Sequence, residues 1–471
     1  MERLFYYTTR VKQFEYRPSR RFDDDTDEAL HRLALIYRNQ PIFPSLSQLY
    51  LERTWPVSLS AASLLFSPSI RFLIIECVRE SKQSWSKMNA RQQDHFCTQM
   101  LIRRCPSILK FILRWPGPMP GDACDTFNII FREMHTLESV SFFCWSEETY
   151  GPVGLAETQR CQLLQNISRL PHTSSLYFAL DKMSNHRLSM TQLAEFCDLE
   201  QLTLHGLPRT MFTVVQSLKS PKLRAVVLVS YELFLTESDV HYYQKSVGFL
   251  ASRARHTLRS LHLTEYVDVW PCRDRPNPMS FTTFIRGLHP LCHLEHLSIS
   301  LPDIYVSDGD LITIANSLPR LRDLHIRLSS SPGTVVTYRA LTELSARCTL
   351  LEQLCIPIFI YSFDNLGDVT STESLRGPNN HPLRSFRPSR GYNGSLTDGE
   401  KRLVIAQAIY GLFPNIMVHQ CVSHGGEYWW NDILQDILLL QEKHGSRRSP
   451  REDFEERLQK ALKWGEFTTE D

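Results

Sequence analysis

The sequence has 471 residues, of which 42% are hydrophobic, and this is enough for a sizeable core, so disorder of the whole chain is excluded. Its 52 Lys and Arg residues nearly balance its 51 Asp and Glu residues, which excludes a global field that would attract nucleic acid or a membrane surface. The first residues lack the basic start and long apolar run of a secretory signal, and no apolar stretch approaches the ~18 residues of a membrane span. These features predict a soluble intracellular protein, cytoplasmic or nuclear, that recognises its partners locally.

A repeated hydrophobic spacing runs along the chain. Residues 318–327, LPRLRDLHIR, contain Leu321, Leu324 and Ile326 in the spacing L-x-x-L-x-L, which is typical of one buried strand of a leucine-rich repeat. Fourteen candidate repeats align on their first hydrophobic position, with a mean period of about 31 residues. They begin at Val11, Leu46, Ile70, Ile108, Leu137, Thr173, Leu199, Leu223, Leu258, Leu294, Leu321, Leu351, Leu383 and Ile416.

Proline supports the same alignment independently of leucine. Random placement of the 26 prolines would put about one of them two residues before a repeat start, whereas seven are found there. Proline cannot continue a helix and favours extended geometry before it, so it suits the boundary between one helix and the next strand. The seven are Pro44, Pro68, Pro106, Pro171, Pro221, Pro319 and Pro414.

Helical periodicity fills most of the intervals between repeats. Ser307 and Ser189 are predicted N-caps. Strands that alternate with crossover helices predict an α/β fold, a right-handed leucine-rich-repeat solenoid or horseshoe with parallel strands on the concave face and helices on the convex face. Predicted helices cover Asp25–Asn39, Asn89–Arg104, Leu155–Leu170, Asp239–Arg255, Asp308–Leu318 and Tyr338–Arg347.

The two ends of the chain are predicted to differ. Residues 1–420 form the solenoid of about 13–14 repeats, and residues 421–471 form a helical C-terminal cap and tail with helices at Glu427–Lys443 and Arg451–Lys463. A groove for a partner helix is the alternative to the cap. At the other end, residues 4–7 (LFYY) resemble the remainder of a helix, which suggests a missing preceding element.

Several loops and cysteines complete the outline. Glu265–Ser280 and Tyr361–Asn380 are predicted to be long surface loops, or else partner-contacting ones. Twelve cysteines without a C-x-x-C pair indicate reduced thiols. Cys105, Cys197 and Cys348 precede strands and are expected to be small buried residues there.

Residues that alternate with the buried positions of each strand are predicted to face the concave surface. An apolar patch on the second to fourth repeats and a polar patch on later repeats are the predicted partner-binding surface. Its residues are Tyr50, Phe72, Ile74, Ile112, Arg114, Tyr177, His262, His296, Asp323, His325 and Arg327, and His205 extends the polar patch.

Two patterns imitate chemical sites. Ser260, His296 and Asp323 fall in one row on three successive repeats, in the order of a nucleophile, a base and an orienting carboxylate, so a hydrolase-like site is the alternative to recognition. An exposed row on an open sheet, however, offers neither a pocket nor oxyanion donors. The zinc-like spacing of residues 289–296 is disfavoured because His293 and His296 flank the inward-pointing Leu294. Phosphate-binding glycine loops are absent, so neither a cofactor nor a metal is expected.

The first repeat (Arg10, Val11, Phe14, Tyr16), the second repeat (FPSLSQLYL, residues 43–51) and the irregular period resemble the leucine-rich-repeat portion of fungal F-box-like proteins. The resemblance implies a non-enzymatic scaffold in which the repeats select the protein substrate of a ubiquitin ligase. An N-terminal F-box would bind a Skp-type adaptor, but no such segment is seen, so the adaptor is expected only if an F-box lies upstream. A truncated product without a ligase role remains a further alternative.

Overall fold

The computed structural model describes residues 6–16, 40–54, 65–78, 98–116, 121–145, 157–180, 196–230, 237–265, 279–301, 304–327, 336–357, 381–388, 399–421 and 428–443. The chain divides into two compact units, Met1–Leu223 and Arg224–Asp471. The predicted helix Asp25–Asn39, the N-cap Ser189, the helix Arg451–Lys463 and most of the two predicted loops lie outside the described residues.

The first unit contains seven strands, which follow one another in chain order and pair in parallel. They are β1 (Gln13–Tyr16), β2 (Gln48–Thr54), β3 (Phe72–Val78), β4 (Lys110–Pro116), β5 (Ser139–Trp145), β6 (Ser175–Ala179) and β7 (Gln201–His205). The helices include α1 (Gly121–Glu133), α2 (Glu157–Ser168) and α3 (Pro208–Ser217), and residues 98–104 are helical as well. Alternate strand residues, such as Leu49, Leu73 and Phe111, are buried in the core.

The second unit repeats this plan with six parallel strands in chain order. They are β8 (Ala225–Ser230), β9 (Ser260–Glu265), β11 (His296–Ser300), β13 (Asp323–Arg327), β14 (Gln353–Ile356) and β15 (Ser385–Pro388). Two short strands, β10 (Met279–Ser280) and β12 (Ile304–Tyr305), pair separately. The helices are α4 (Glu237–Arg253), α5 (Thr282–Leu288), α6 (Asp308–Ser317), α7 (Tyr338–Arg347), α8 (Gly399–Leu412), α9 (Val418–Cys421) and α10 (Tyr428–Lys443).

One hydrogen-bond arrangement begins nearly every strand. The carbonyl of the residue before one strand accepts two consecutive N–H groups at the start of the following strand. For example, Glu295 O accepts from Arg322 N at 2.7 Å and from Asp323 N, the first residue of β13, at 3.0 Å. This shared acceptor aligns successive repeats at the same position, so the leucine spacing and the backbone registers agree. The α/β leucine-rich-repeat architecture predicted from the sequence is confirmed, with an open parallel sheet and alternating helices.

The strand predicted for the last repeat, which begins at Ile416, is wrong. Met417 N still donates to Arg384 O at 2.8 Å, as at the start of the other strands, but the chain then turns into the short helix α9. The prediction that Cys197 is buried is also wrong. Cys105 and Cys348 lie three residues before their repeat starts and are buried, whereas the equivalent buried position before Leu199 is Phe196, which leaves Cys197 exposed.

Seven of the cysteines in the described ranges are identified as free thiols, and burial raises the pKa of Cys105 and of Cys348 to about 12, so both remain neutral. The N-cap predicted at Ser307 is confirmed: its hydroxyl accepts from Asp310 N, and the Asp310 carboxylate accepts from Ser307 N at 2.9 Å. Among the described helices, none is long and apolar enough to cross a membrane.

Candidate functional site: the open sheet face of each unit

In each unit, the strand registers place the alternating residues in continuous rows on the open face of the sheet, the face that carries the half-exposed side chains. In the first unit, Gln48, Phe72, Lys110, Ser139 and Ser175 share one row. In the second unit, one row contains Ser260, His296, Asp323, Gln353 and Ser385, and the next contains His262, Ser298, His325, Cys355 and Arg387. These rows agree with those predicted from the leucine spacing.

A connected series of side chains crosses the open face of the first unit. The Tyr50 hydroxyl donates to Glu76 Oε2 at 2.6 Å, and Arg114 Nη1 donates to the same oxygen at 3.0 Å. The Arg114 guanidinium lies 5.9 Å from the centre of the Phe143 ring, and Phe143 stacks on Tyr177 at 3.9 Å. The Tyr177 and His205 rings lie 4.6 Å apart and extend the series. We call this series the aromatic ladder; it consists of Tyr50, Glu76, Arg114, Phe143, Tyr177 and His205.

Apolar side chains accompany the aromatic ladder. Phe72, Ile74 and Ile112, predicted from the sequence as an apolar patch, are half-buried on the same face. The Lys110 ammonium lies 5.0 Å from the centre of the Phe72 ring. The structure thus brings the predicted residues of this unit onto one surface, where aromatic, aliphatic and cationic groups alternate.

Glu76 and Phe143 were missed, although they share a row with the predicted Arg114, one residue after the last hydrophobic position of the L-x-x-L-x-L pattern. Strands β3 and β5 each continue for seven residues, so the alternation of faces continues past the motif. Continued period-two alternation in FLIIECV and SVSFFCW was the signal that could have found both residues. Burial lowers the pKa of His205 to about 4, so its ring is neutral at neutral pH.

A groove of about 320 Å³ lies on the open face of the second unit. His262, His296, Asp323, His325 and Arg327 line it, and all five were predicted from the sequence. Cys355 and Arg387 line it as well and were not predicted as site residues. Their rows could have indicated them, since Cα pairing places Cys355 between His325 and Arg387.

Hydrogen bonds divide the predicted Ser260, His296 and Asp323 row into two pairs. The Ser260 hydroxyl lies 2.9 Å from His262 Nε2, on the same strand, and His296 Nδ1 lies 2.5 Å from Asp323 Oδ2 on the neighbouring strand. Burial is the main cause that lowers the pKa of His262, with a smaller contribution from His296 and an opposing one from Asp323. The relay of a Ser–His–Asp triad needs one histidine between serine and carboxylate, and here each group has a different histidine.

Electrostatics differ at the other end of the groove. The pKa of His325 is lowered to about 4, mainly by burial and then by the Arg327, His262 and Arg387 charges in that order. Arg387 is held in place by its Nε and Nη2, which donate to Gln420 O at 2.9 and 2.5 Å. The groove therefore has a neutral histidine beside two cationic guanidinium groups.

Two histidines of the zinc-like spacing, His289 and His296, have hydrogen-bond partners of their own. His289 Nδ1 lies 2.7 Å from the Ser317 hydroxyl, and His296 is bonded to Asp323. Within the described ranges, no three His, Cys, Asp or Glu side chains are grouped as a metal site would require.

Comparison with known proteins yields distant structural likenesses. No protein-family model matches the sequence, and no curated protein matches it at a significant level. The chain is similar to the crystal structure of a Rad7 and Elc1 complex in yeast, with 16% identity and a TM-score of 0.34 over 80% of this chain and 86% of that chain. It is also similar to a protein from Bacteroides fragilis, with 12% identity and a TM-score of 0.28 over 68% of this chain and 76% of that chain.

Proposed function

We propose that this chain is a non-enzymatic scaffold that recognises a protein partner through the open sheet face of each unit. The aromatic ladder is the observation that carries the proposal. Tyrosine and arginine are among the residues most enriched at the positions that dominate the energy of protein interfaces. Here they are half-exposed, and their neighbours already hold them in place.

This pre-organisation favours binding. A partner that covers long, mobile side chains must restrict their rotamers, at a cost of about 0.5–1.5 kcal/mol for each. In the aromatic ladder, the Glu76 carboxylate already orients Tyr50 and Arg114, and ring stacking orients Phe143 and Tyr177. A smaller part of the binding energy is therefore lost to ordering.

The partner-binding residues that we propose lie on both units. Those of the first unit centre on the aromatic ladder, and those of the second line the groove. They are Tyr50, Phe72, Ile74, Ile112, Arg114 and Tyr177 in the first unit, and His262, His296, Asp323, His325 and Arg327 in the second.

The sequence resemblance narrows the proposed role. By that resemblance, the partner is the substrate of a ubiquitin ligase in the cytoplasm or nucleus, and a Skp-type adaptor joins only through an F-box encoded upstream. We further propose that residues 421–471 cap the solenoid of residues 1–420. Trp430 supports the cap, because its ring lies 5.2 Å from that of Phe386 in the last strand and its Nε1 donates to Cys421 O at 3.1 Å.

Affinity capture with purified variants tests the recognition proposal. Partners identified with the unaltered chain are titrated against Arg114→Ala and Tyr177→Ala, and each substitution is expected to weaken binding by about 30-fold or more, the effect of losing a central interface residue. Arg132→Ala is the matched control, since Arg132 is an exposed arginine at the end of α1. Equal binding by all four proteins, with equal thermal unfolding, would overturn the proposal.

A second candidate function rests on the contact between Ser260 and His262. A serine hydroxyl 2.9 Å from an imidazole nitrogen is the contact that a hydrolase nucleophile makes with its base. The opposing observation is that Asp323, the one carboxylate among the paired residues of this row, orients a different histidine. Ester turnover separates the two functions and is treated in the Discussion.

A further inference from the structure

Two arginines in the groove of the second unit have no acidic partner among the described residues. Arg327 ends β13 and makes no ion pair in that part of the chain, and the Arg387 guanidinium donates only to the Gln420 carbonyl, which is neutral. Three other arginines of this unit have acidic partners. Arg322 pairs with Glu352, Arg347 with Glu343, and Arg402 with Asp436.

Both guanidinium groups affect the same residue, His325. Arg387 occupies the row of His325, two strands away, and Arg327 follows His325 by two residues on the same face of β13. The pKa of His325 is lowered by both charges, which locates their positive potential at this wall of the groove. The imidazole is neutral there, and its Nε2 is buried without a hydrogen-bond partner among the described residues. Such unsatisfied atoms are uncommon and often indicate a site that a ligand completes.

The acidic group of the groove does not neutralise these arginines. Asp323 lies one row earlier than His325 and Arg387, and its carboxylate is 2.5 Å from His296. The groove therefore has a carboxylate paired with His296 in one row, and in the next rows it has two arginines without an acidic partner in the described ranges. Gln353 and Ser385 lie in the row of Asp323 and add neutral hydrogen-bonding groups.

We propose that this groove binds a phosphate monoester, with Arg327 and Arg387 as its two cationic contacts. Arginine presents its donors in a planar fork that matches phosphate oxygens in pairs. A phosphate monoester carries a charge near −2 at neutral pH, which balances two guanidinium groups, whereas one carboxylate balances a single group. Arg327 and His325 are among the partner-binding residues proposed for this unit; the inference adds a ligand chemistry to that surface and does not depend on the aromatic ladder.

This chemistry has two sources, a phosphorylated side chain of a polypeptide and a small phosphorylated molecule. Calorimetric titration of the full chain separates them with four probes: inorganic phosphate, a short phosphoserine peptide, and the same peptide with Ser or with Glu in place of phosphoserine. We expect the phosphoserine peptide to bind at least about 30-fold tighter than the Ser and Glu peptides. Inorganic phosphate that binds as tightly as the phosphopeptide assigns the site to small molecules, and much weaker binding assigns it to polypeptides.

Variants tie the binding to the two arginines. Arg327→Gln and Arg387→Gln are each expected to weaken phosphopeptide binding by about tenfold or more, and the double variant is expected to abolish it. Arg347→Gln is the matched control, because Arg347 lies on α7 and outside the groove lining. Thermal unfolding establishes that each variant is folded.

The His325 ring supplies a second readout that a structural effect would not reproduce. Its ring resonances should shift on titration with the phosphopeptide in the unaltered chain and not in the double variant. Equal binding by the unaltered chain and the double variant, or equal affinity for the Glu peptide and the phosphopeptide, would overturn the proposal. The recognition proposal is tested separately, by partner binding of Arg114→Ala and Tyr177→Ala, so failure of the phosphopeptide titration is distinguishable from failure of that proposal.

Discussion

Ser260 and His262 lie two residues apart on β9, and the serine hydroxyl is 2.9 Å from His262 Nε2. Strand side chains alternate between faces, so residues i and i+2 share the open face and can bond along the strand. The contact gives Ser260 a partner on its own strand, although His296 is its register neighbour on β11. The row order that resembles a triad therefore corresponds to two separate pairs.

This pairing makes a prediction about ester turnover. Because no single histidine joins Ser260 to Asp323, we expect the unaltered chain and Ser260→Ala to hydrolyse p-nitrophenyl esters at the same rate, equal to that of buffer. The release of p-nitrophenol is followed by absorbance. Turnover above buffer that disappears in Ser260→Ala would instead support the hydrolase function and contradict the recognition proposal.

Gly206 is predicted to be essential for stability. It follows β7 with a φ of 158°, and a Cβ placed on it would lie 2.5 Å from the backbone oxygen of Leu180. A backbone atom cannot move aside as a flexible side chain can, so Gly206→Ala should lower the free energy of unfolding by about 3 kcal/mol, from strain and overpacking together.

Gly248 is the control for this substitution. It lies within α4, and a Cβ added to it would have nothing within 4 Å. Gly248→Ala should be neutral or stabilising by up to ~1 kcal/mol, because alanine is the better helix former. Urea unfolding of both variants measures the difference, and similar free energies of unfolding would show that the close approach at Gly206 is unimportant.

The N-cap of α6 gives a prediction of intermediate size. Ser307→Ala removes the hydroxyl that accepts from Asp310 N and donates to Asp310 Oδ2, and it should lower the free energy of unfolding by about 1 kcal/mol. Thr313→Ala is the control in the same helix, since its hydroxyl donates to the Gly309 carbonyl one turn earlier and caps no helix end, and a change within about 0.5 kcal/mol is expected. Equal losses for the two variants in chemical denaturation would argue against the capping interaction.

The buried histidines predict a dependence of stability on pH. The pKa of His325 is lowered from 6.5 to about 4, so between these values the unfolded chain binds a proton that the folded chain does not. Stability should therefore fall as the pH is lowered from 6.5 towards 4, and this contribution is complete above 6.5.

His325→Gln isolates that contribution from those of other titrating groups. The variant lacks the titrating ring, so its melting temperature should fall less steeply over this pH range than that of the unaltered chain. Melting curves at matched ionic strength make the comparison. Parallel pH profiles for the two proteins would contradict a lowered pKa at His325.

Local sequence predicts much of the fold and the composition of each face. The L-x-x-L-x-L spacing places hydrophobic residues on one face of every strand, and shared carbonyl acceptors align the repeats, so the row containing Ser260, His296 and Asp323 followed directly from the alignment. At the last repeat, the hydrophobic spacing at Ile416 predicted a strand that does not form. The backbone contact of Met417 resembles a strand start, yet the next residues form α9.

The sequence by itself determined which side chains share the open face, because the period of a strand depends only on local backbone geometry. Tertiary structure alone decided which of them bond: Ser260 with His262, His296 with Asp323, and Tyr50 and Arg114 with the same Glu76 oxygen. The physical reason is that hydrogen bonds and stacking depend on distances of a few ångströms between side chains, most of them on different strands, and no local periodicity contains those distances.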